Sequence, residues 1–93
     1  MLTLETALHI PKNISFSVVG EDAFLLNTQT NKYYGLEKVG ARLWQLLTAG
    51  KSLKDAHEAL LSEYEVAADQ LEQDLFELLA DMQKNGLIEI VEA

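Results

Sequence analysis

The sequence predicts an α+β domain, and three observations carry that expectation. Three short stretches between residues 14 and 36 are rich in β-forming side chains. Three longer stretches between residues 39 and 85 repeat apolar residues at the helical period. The two sets follow one another instead of alternating, which is the pattern of an α+β chain and not of βαβ units.

The first dozen residues are weakly patterned and end at Pro11, so residues 1–13 are expected to form an irregular or extended arm. Ile14-Ser-Phe-Ser-Val18 alternates apolar and polar, the period of a half-buried strand. Gly20-Glu-Asp22 reads as a turn. Ala23 to Asn27 forms a second strand, with Phe24 and Leu26 on one face and Leu25 on the other. Thr28-Gln-Thr-Asn31 closes a hairpin, and Asn31 is the residue there best suited to a left-handed conformation. Lys32 to Leu36 is the third strand, with Tyr33 and Tyr34 as typical strand residues.

In the first helix Val39, Leu43, Leu46 and Leu47 fall on one stripe with Trp44 beside them, and Gly50 is placed to end it. Ser52 caps the second, with Asp55 three residues on as in a capping box, and Leu53, Ala56, Leu60 and Tyr64 form its apolar side. The third runs from about Ala67 to Asn85, with Leu71, Leu75, Leu78 and Met82 in line and Phe76 and Leu79 beside them. Asp69 and Glu72 in its first turn suit the helix dipole. Gly86 stops it, and Leu87 to Val91 reads as a short terminal strand. This helix is apolar over more than the roughly 100° stripe of a surface helix. Part of that surface covers the core, and part is left for something else.

A length of 93 residues gives one domain with a single modest core, and 48% hydrophobic with 24% charged residues is ordinary for a globular chain. No apolar run approaches the roughly 18 residues a membrane-spanning helix needs, and the N-terminus has no basic segment of a secretory signal. With no cysteine there is no disulfide framework, so a cytoplasmic setting is expected. The net charge of −8, with Arg42 the single arginine and the lysines scattered, argues against nucleic acid, whose phosphates call for clustered cations. The acidic surface serves solubility or a partner with some positive charge.

Nothing in the chain reads as catalytic. Nucleophilic catalysis needs Ser or Cys beside a base; cysteine is absent, and Ser15, Ser17, Ser52 and Ser62 lie in strand, cap and helix settings. His9 and His57 stand outside any metal-ligand spacing and read as structural or solvated. No glycine-rich loop is present to cradle a phosphate, so no cofactor or metal is expected. Asp69, Glu77 and Asp81, with Gln73 between them, read as a solvated outer face of the third helix. Asp74 lies close to the apolar stripe, where a carboxylate needs a partner inside the domain or on a ligand.

Leu25-Leu26-Asn27, Asn31-Lys32-Tyr33-Tyr34-Gly35-Leu36, Gly40, Trp44, Ala49-Gly50-Lys51-Ser52, Asp74-Leu75, Leu78-Leu79, Met82 and Gly86-Leu87-Ile88 together resemble the PqqD-like family of precursor-peptide recognition elements. These serve ribosomally made, post-translationally modified peptides. The pattern spans residues 14 to 91 and is most similar to the small freestanding B1-type proteins of lasso-peptide pathways. The chain lacks the Leu-Tyr-Pro-Glu-Gly-like second strand and later Gly-Trp of the pyrroloquinoline-quinone pathway's own member.

The resemblance implies a winged-helix-like fold, a three-stranded antiparallel sheet packed against three helices. It implies that a precursor's leader adds as a further strand beside Lys32, Tyr33, Tyr34, Gly35 and Leu36, under cover of the third helix. The groove would then draw on Leu71, Asp74, Leu75 and Leu78, with Tyr33 or Tyr34 as an aromatic wall and Asp74 meeting a polar or basic leader group. The implied partners are that leader and a separate leader peptidase or modifying enzyme. Two other readings are an edge-paired homodimer, joined through the third strand or third helix, and a winged-helix nucleic-acid binder, which the charge disfavours.

Overall fold

Antiparallel pairing builds the centre of the molecule. In chain order the computed structural model, which describes residues 3–91, contains β1 (Ala7–His9), β2 (Ile14–Val19), β3 (Asp22–Asn27), β4 (Lys32–Glu37), α1 (Val39–Thr48), α2 (Leu53–Glu63), α3 (Ala68–Lys84) and β5 (Glu89–Val91). Strands β2, β3 and β4 form one sheet in that order, and β1 pairs with β5 in a separate two-stranded ribbon. The α+β class and the three-on-three architecture expected from the sequence are those observed.

Each element begins where local chemistry starts it and stops where a residue permits it. Asn31 takes the left-handed conformation (φ 58°) that the β3–β4 hairpin requires. Ser52 Oγ accepts a hydrogen bond from the Asp55 backbone N–H at 3.1 Å and caps α2, an interaction worth about 1 kcal/mol. Both α1 and α3 end in the same device. Gly50 and Gly86 adopt φ of 89° and 73°, so the N–H of Lys51 reaches the carbonyl of Leu46 at 3.1 Å and that of Leu87 reaches Met82 at 2.9 Å. These close Schellman motifs that only a residue free of a Cβ enters without strain.

Residues opposite each other in an antiparallel pair point to the same face. By the observed register, Ile14, Phe16 and Val18, Ala23, Leu25 and Asn27, and Lys32, Tyr34 and Leu36 share one side of the sheet. Leu25 and Leu36 there meet Leu43 and Trp44 of α1, Leu60 of α2 and Leu75, Leu79 and Met82 of α3 in a single core. Phe24, on the opposite side from Leu25 as its place in the strand predicts, stays 47% exposed. His57 is buried, with Nε2 3.0 Å from the carbonyl oxygen of Ala68, and so ties α2 to the start of α3.

Within the arm, a short stretch is extended and paired. Residues 1 and 2 lie outside the described residues, but Ala7–His9 is a strand whose register with β5 sets Leu8 opposite Ile90. A three-residue strand with one inward side chain has no period to read. Its partner lies at the other end of the chain, so only tertiary pairing reveals it.

Candidate peptide-binding site

The outer edge of β4 is open. The N–H of Thr28 donates to the carbonyl of Asn13 at 2.9 Å, and that of Lys38 to Glu21 at 3.1 Å. Hydrogen-bonding pairs alternate along an antiparallel ladder, so these two bonds fix the phase of the whole sheet. Lys32, Tyr34 and Leu36 turn their main-chain groups toward β3; Tyr33, Gly35 and Glu37 turn theirs outward. Among the described residues no strand pairs with that edge. An extended chain can therefore add there by main-chain hydrogen bonds alone.

Helix α3 makes that edge one side of a groove. The Tyr34 hydroxyl donates to Asp81 Oδ2 across it. This bond, then partial burial, then the carboxylate's charge push the Tyr34 hydroxyl pKa up to about 12 from its ordinary 10.0. Toward the start of α1 the groove widens into a recess of about 390 Å³. Val39 and Gly40 of α1, Val66 before α3, and Leu71, Leu75 and Leu78 of α3 give it apolar walls, with Glu65 and Asp74 on its lining as well. Gly40 sets its depth, because a Cβ there would lie 3.3 Å from Leu78 Cδ2 and 3.6 Å from Leu36 Cδ2. Beyond Tyr34 a smaller recess of about 70 Å³ lies among Lys32, Tyr33, Asn27, Asn85 and Leu87.

The residues singled out in the sequence divide into two groups. Lys32, Tyr33, Tyr34, Gly35 and Leu36 form the edge strand, and Leu71, Asp74, Leu75 and Leu78 come together in the recess. Tyr34, not Tyr33, is the aromatic that spans to α3; Tyr33 points to the outer face and is 75% exposed. Leu71 and Leu75 are 2% and 1% exposed, so they belong to the core as much as to the recess wall. Asp74 is exposed and not desolvated as its place beside the stripe suggested, and its Oδ1 accepts from Gln70 Nε2 at 2.9 Å. A carboxylate at a groove rim keeps its water, and a neighbour one turn back suffices as partner.

Asp81, read as part of a solvated face, is exposed and also accepts from Tyr34 of β4. The signal was present: Leu71, Asp74, Leu78 and Asp81 are spaced three, four and three apart and share one side of the helix. Val39, Gly40 and Val66 were not foreseen, and nothing in their local pattern marks a wall assembled from three separate elements. Among the described residues no group of His, Asp and Glu is placed to hold a metal ion, and no helix is long and apolar enough to cross a membrane.

The chain is similar to two solved structures over most of its length. TbiB1, in complex with the TbiA(beta) leader peptide, is 30% identical; the alignment covers 91% of this chain and 99% of that one, with a TM-score of 0.85. A lasso peptide synthetase B1 complexed with the leader peptide is 28% identical, over 88% of this chain and 96% of that one, with a TM-score of 0.79. No curated protein sequence matches. Residues 22–88, from the first residue of β3 to the end of the core, match the family model of coenzyme PQQ synthesis protein D (PqqD), and the chain belongs to that family.

Proposed function

We propose that this chain acts in the cytoplasm as a single binding domain that takes the leader of a ribosomally made precursor peptide as an added strand on β4. It then presents the precursor to a separate leader peptidase or modifying enzyme, in a pathway of the lasso-peptide kind. The observation that carries this reading is the free edge of β4 facing an apolar recess on α3. Main-chain bonds at Tyr33, Gly35 and Glu37 supply affinity independent of sequence, and the recess selects side chains. That two similar proteins were solved with leader peptides bound supports a leader as the occupant. The chain needs no catalytic group for this task, since the chemistry belongs to the enzyme it serves.

Isothermal titration with the leader of a precursor encoded beside this gene tests the reading. Binding at about 1 μM or tighter, roughly −8 kcal/mol, is expected, with no measurable heat from a scrambled peptide. Equal binding of both peptides ends the proposal. Sedimentation of the same samples separates it from self-association, because a leader binder gains the mass of one peptide and does not double.

A further inference from the structure

The groove is not continuous. Along α3 the order is Asp74 and Leu78, then Asp81, then Asn85; along the facing segment it is Gly40 and Leu36, then Tyr34, then Lys32. The Tyr34–Asp81 bond therefore lies between the larger and the smaller recess and joins the two walls at that point. Tyr34 belongs to the helix-facing side of the sheet, and so does every second residue of any strand added to β4. One of those residues sits directly beside Tyr34 as its cross-strand neighbour, with Cβ atoms about 4.5–5.5 Å apart. The space that neighbour would fill is bounded on one side by a phenol ring whose hydroxyl is tied to α3.

We propose that Tyr34, held across the groove by Asp81, is a specificity-determining crossbar that admits only a small side chain on the incoming strand at the position beside it. This rests on the peptide-binding reading above and adds to it a rule about the ligand. The rule is a bulky apolar residue for the larger recess, a small one two positions away over the crossbar, and a polar or short one two further on, beside Lys32 and Asn85. Two-residue steps follow from the strand repeat of about 6.6–6.8 Å between side chains on one face. Apolar character at the first position follows from Val39, Val66, Leu71, Leu75 and Leu78. Size exclusion at the second follows from the ring alone.

The test is affinity selection of a randomised linear ten-residue peptide library by the full chain and by its Tyr34→Ala and Asp81→Ala variants. The wild type is expected to return a pattern of bulky apolar residue, any residue, small residue. Gly, Ala and Ser should be enriched at least tenfold over Leu, Phe and Tyr at the small position. In both variants that enrichment is expected to fall below threefold while the bulky apolar position keeps its preference, a change that general loss of structure does not produce. Asp81 is exposed, so its variant carries the test even where Tyr34→Ala does not fold. Large residues at the small position in the wild-type pool, or variants that keep the bias, overturn the crossbar and leave peptide binding standing. A wild-type pool with no strand-like consensus overturns the binding reading and the crossbar with it.

Discussion

Along β4, Tyr33, Gly35 and Glu37 turn their main-chain groups outward beside a wall supplied by α3; along β2, Ile14, Phe16 and Val18 do the same with no strand paired to them among the described residues. Both are six-residue edge strands of one sheet. Their surroundings differ. Leu36 of β4 is buried, and Tyr34 reaches an acid on α3. On β2 every residue from Ser15 to Val19 is exposed, and Phe16 makes an edge-on contact with Trp44, ring centroids 6.2 Å apart. The difference teaches that an open edge supplies affinity, but selectivity needs a second element to receive the side chains. β2 also carries no charge and no proline, the usual protections of an edge. If the chain self-associates, β2 is thus a better surface for it than the third strand or third helix named from the sequence.

The largest expected effect probes the walls. Leu75→Ala removes a side chain that is 1% exposed and shared by the core and the recess, so a loss of about 2–5 kcal/mol is expected. Val18→Ala, at a position 43% exposed, should change stability by about 0.5 kcal/mol or less. Denaturant melts of the two variants measure both. Equal losses would mean that β2 is as well supported as the recess, and the contrast between the edges would fail.

The next effect probes the edges themselves. Proline removes one outward N–H and leaves the inward ladder intact. A Cβ at Gly35 meets nothing nearer than Phe24 Cε1 at 4.0 Å, so the position has room for a side chain. Gly35→Pro should weaken leader binding at least tenfold, about 1.4 kcal/mol, while Val18→Pro at the corresponding outward position of β2 should leave binding within about twofold. Titration of the leader into each variant decides the matter. If Val18→Pro is the damaging change, the leader occupies the other edge.

How much of this could be read from the chain follows from the range of each interaction. Strands, helices and their ends rest on signals within a few residues, such as the alternation of Ile14 to Val18, Ser52 before Asp55, and Asn31, Gly50 and Gly86 where a left-handed residue is needed. All were legible, and the observed bounds lie within two residues of those expected. The edge strand and the α3 residues of the recess also came from the sequence, through the resemblance. Three things did not. The β1–β5 ribbon joins the two ends of the chain. The recess takes Val39, Gly40 and Val66 from outside α3, whose stripe alone was read as the groove wall. Asp81 gains a partner because Tyr34, 47 positions away, reaches it. Each depends on how elements are placed relative to one another, which a local period does not encode.

The smallest effect concerns the link between the edge and its wall. Tyr34 is the neutral donor to a carboxylate, so the bond persists only while the phenol keeps its proton. The unfolded chain releases that proton near the ordinary value of 10.0, whereas the folded chain holds it to about 12. Between those values the folded state binds more protons than the unfolded one, so stability falls as pH rises through this window and is unaffected by this group below it. Asp81→Asn removes the principal cause of the shift. At neutral pH it should cost only about 0.5–1 kcal/mol, the lower part of the range for one hydrogen bond, because Asp81 is exposed. Ultraviolet difference titration of the three tyrosines, Tyr33, Tyr34 and Tyr64, should show one that ionises late in the wild type and not in the variant. Three tyrosines that titrate together in the wild type would mean that the wall beside β4 is not fastened to it in solution, and the two edges would then differ less than their surroundings suggest.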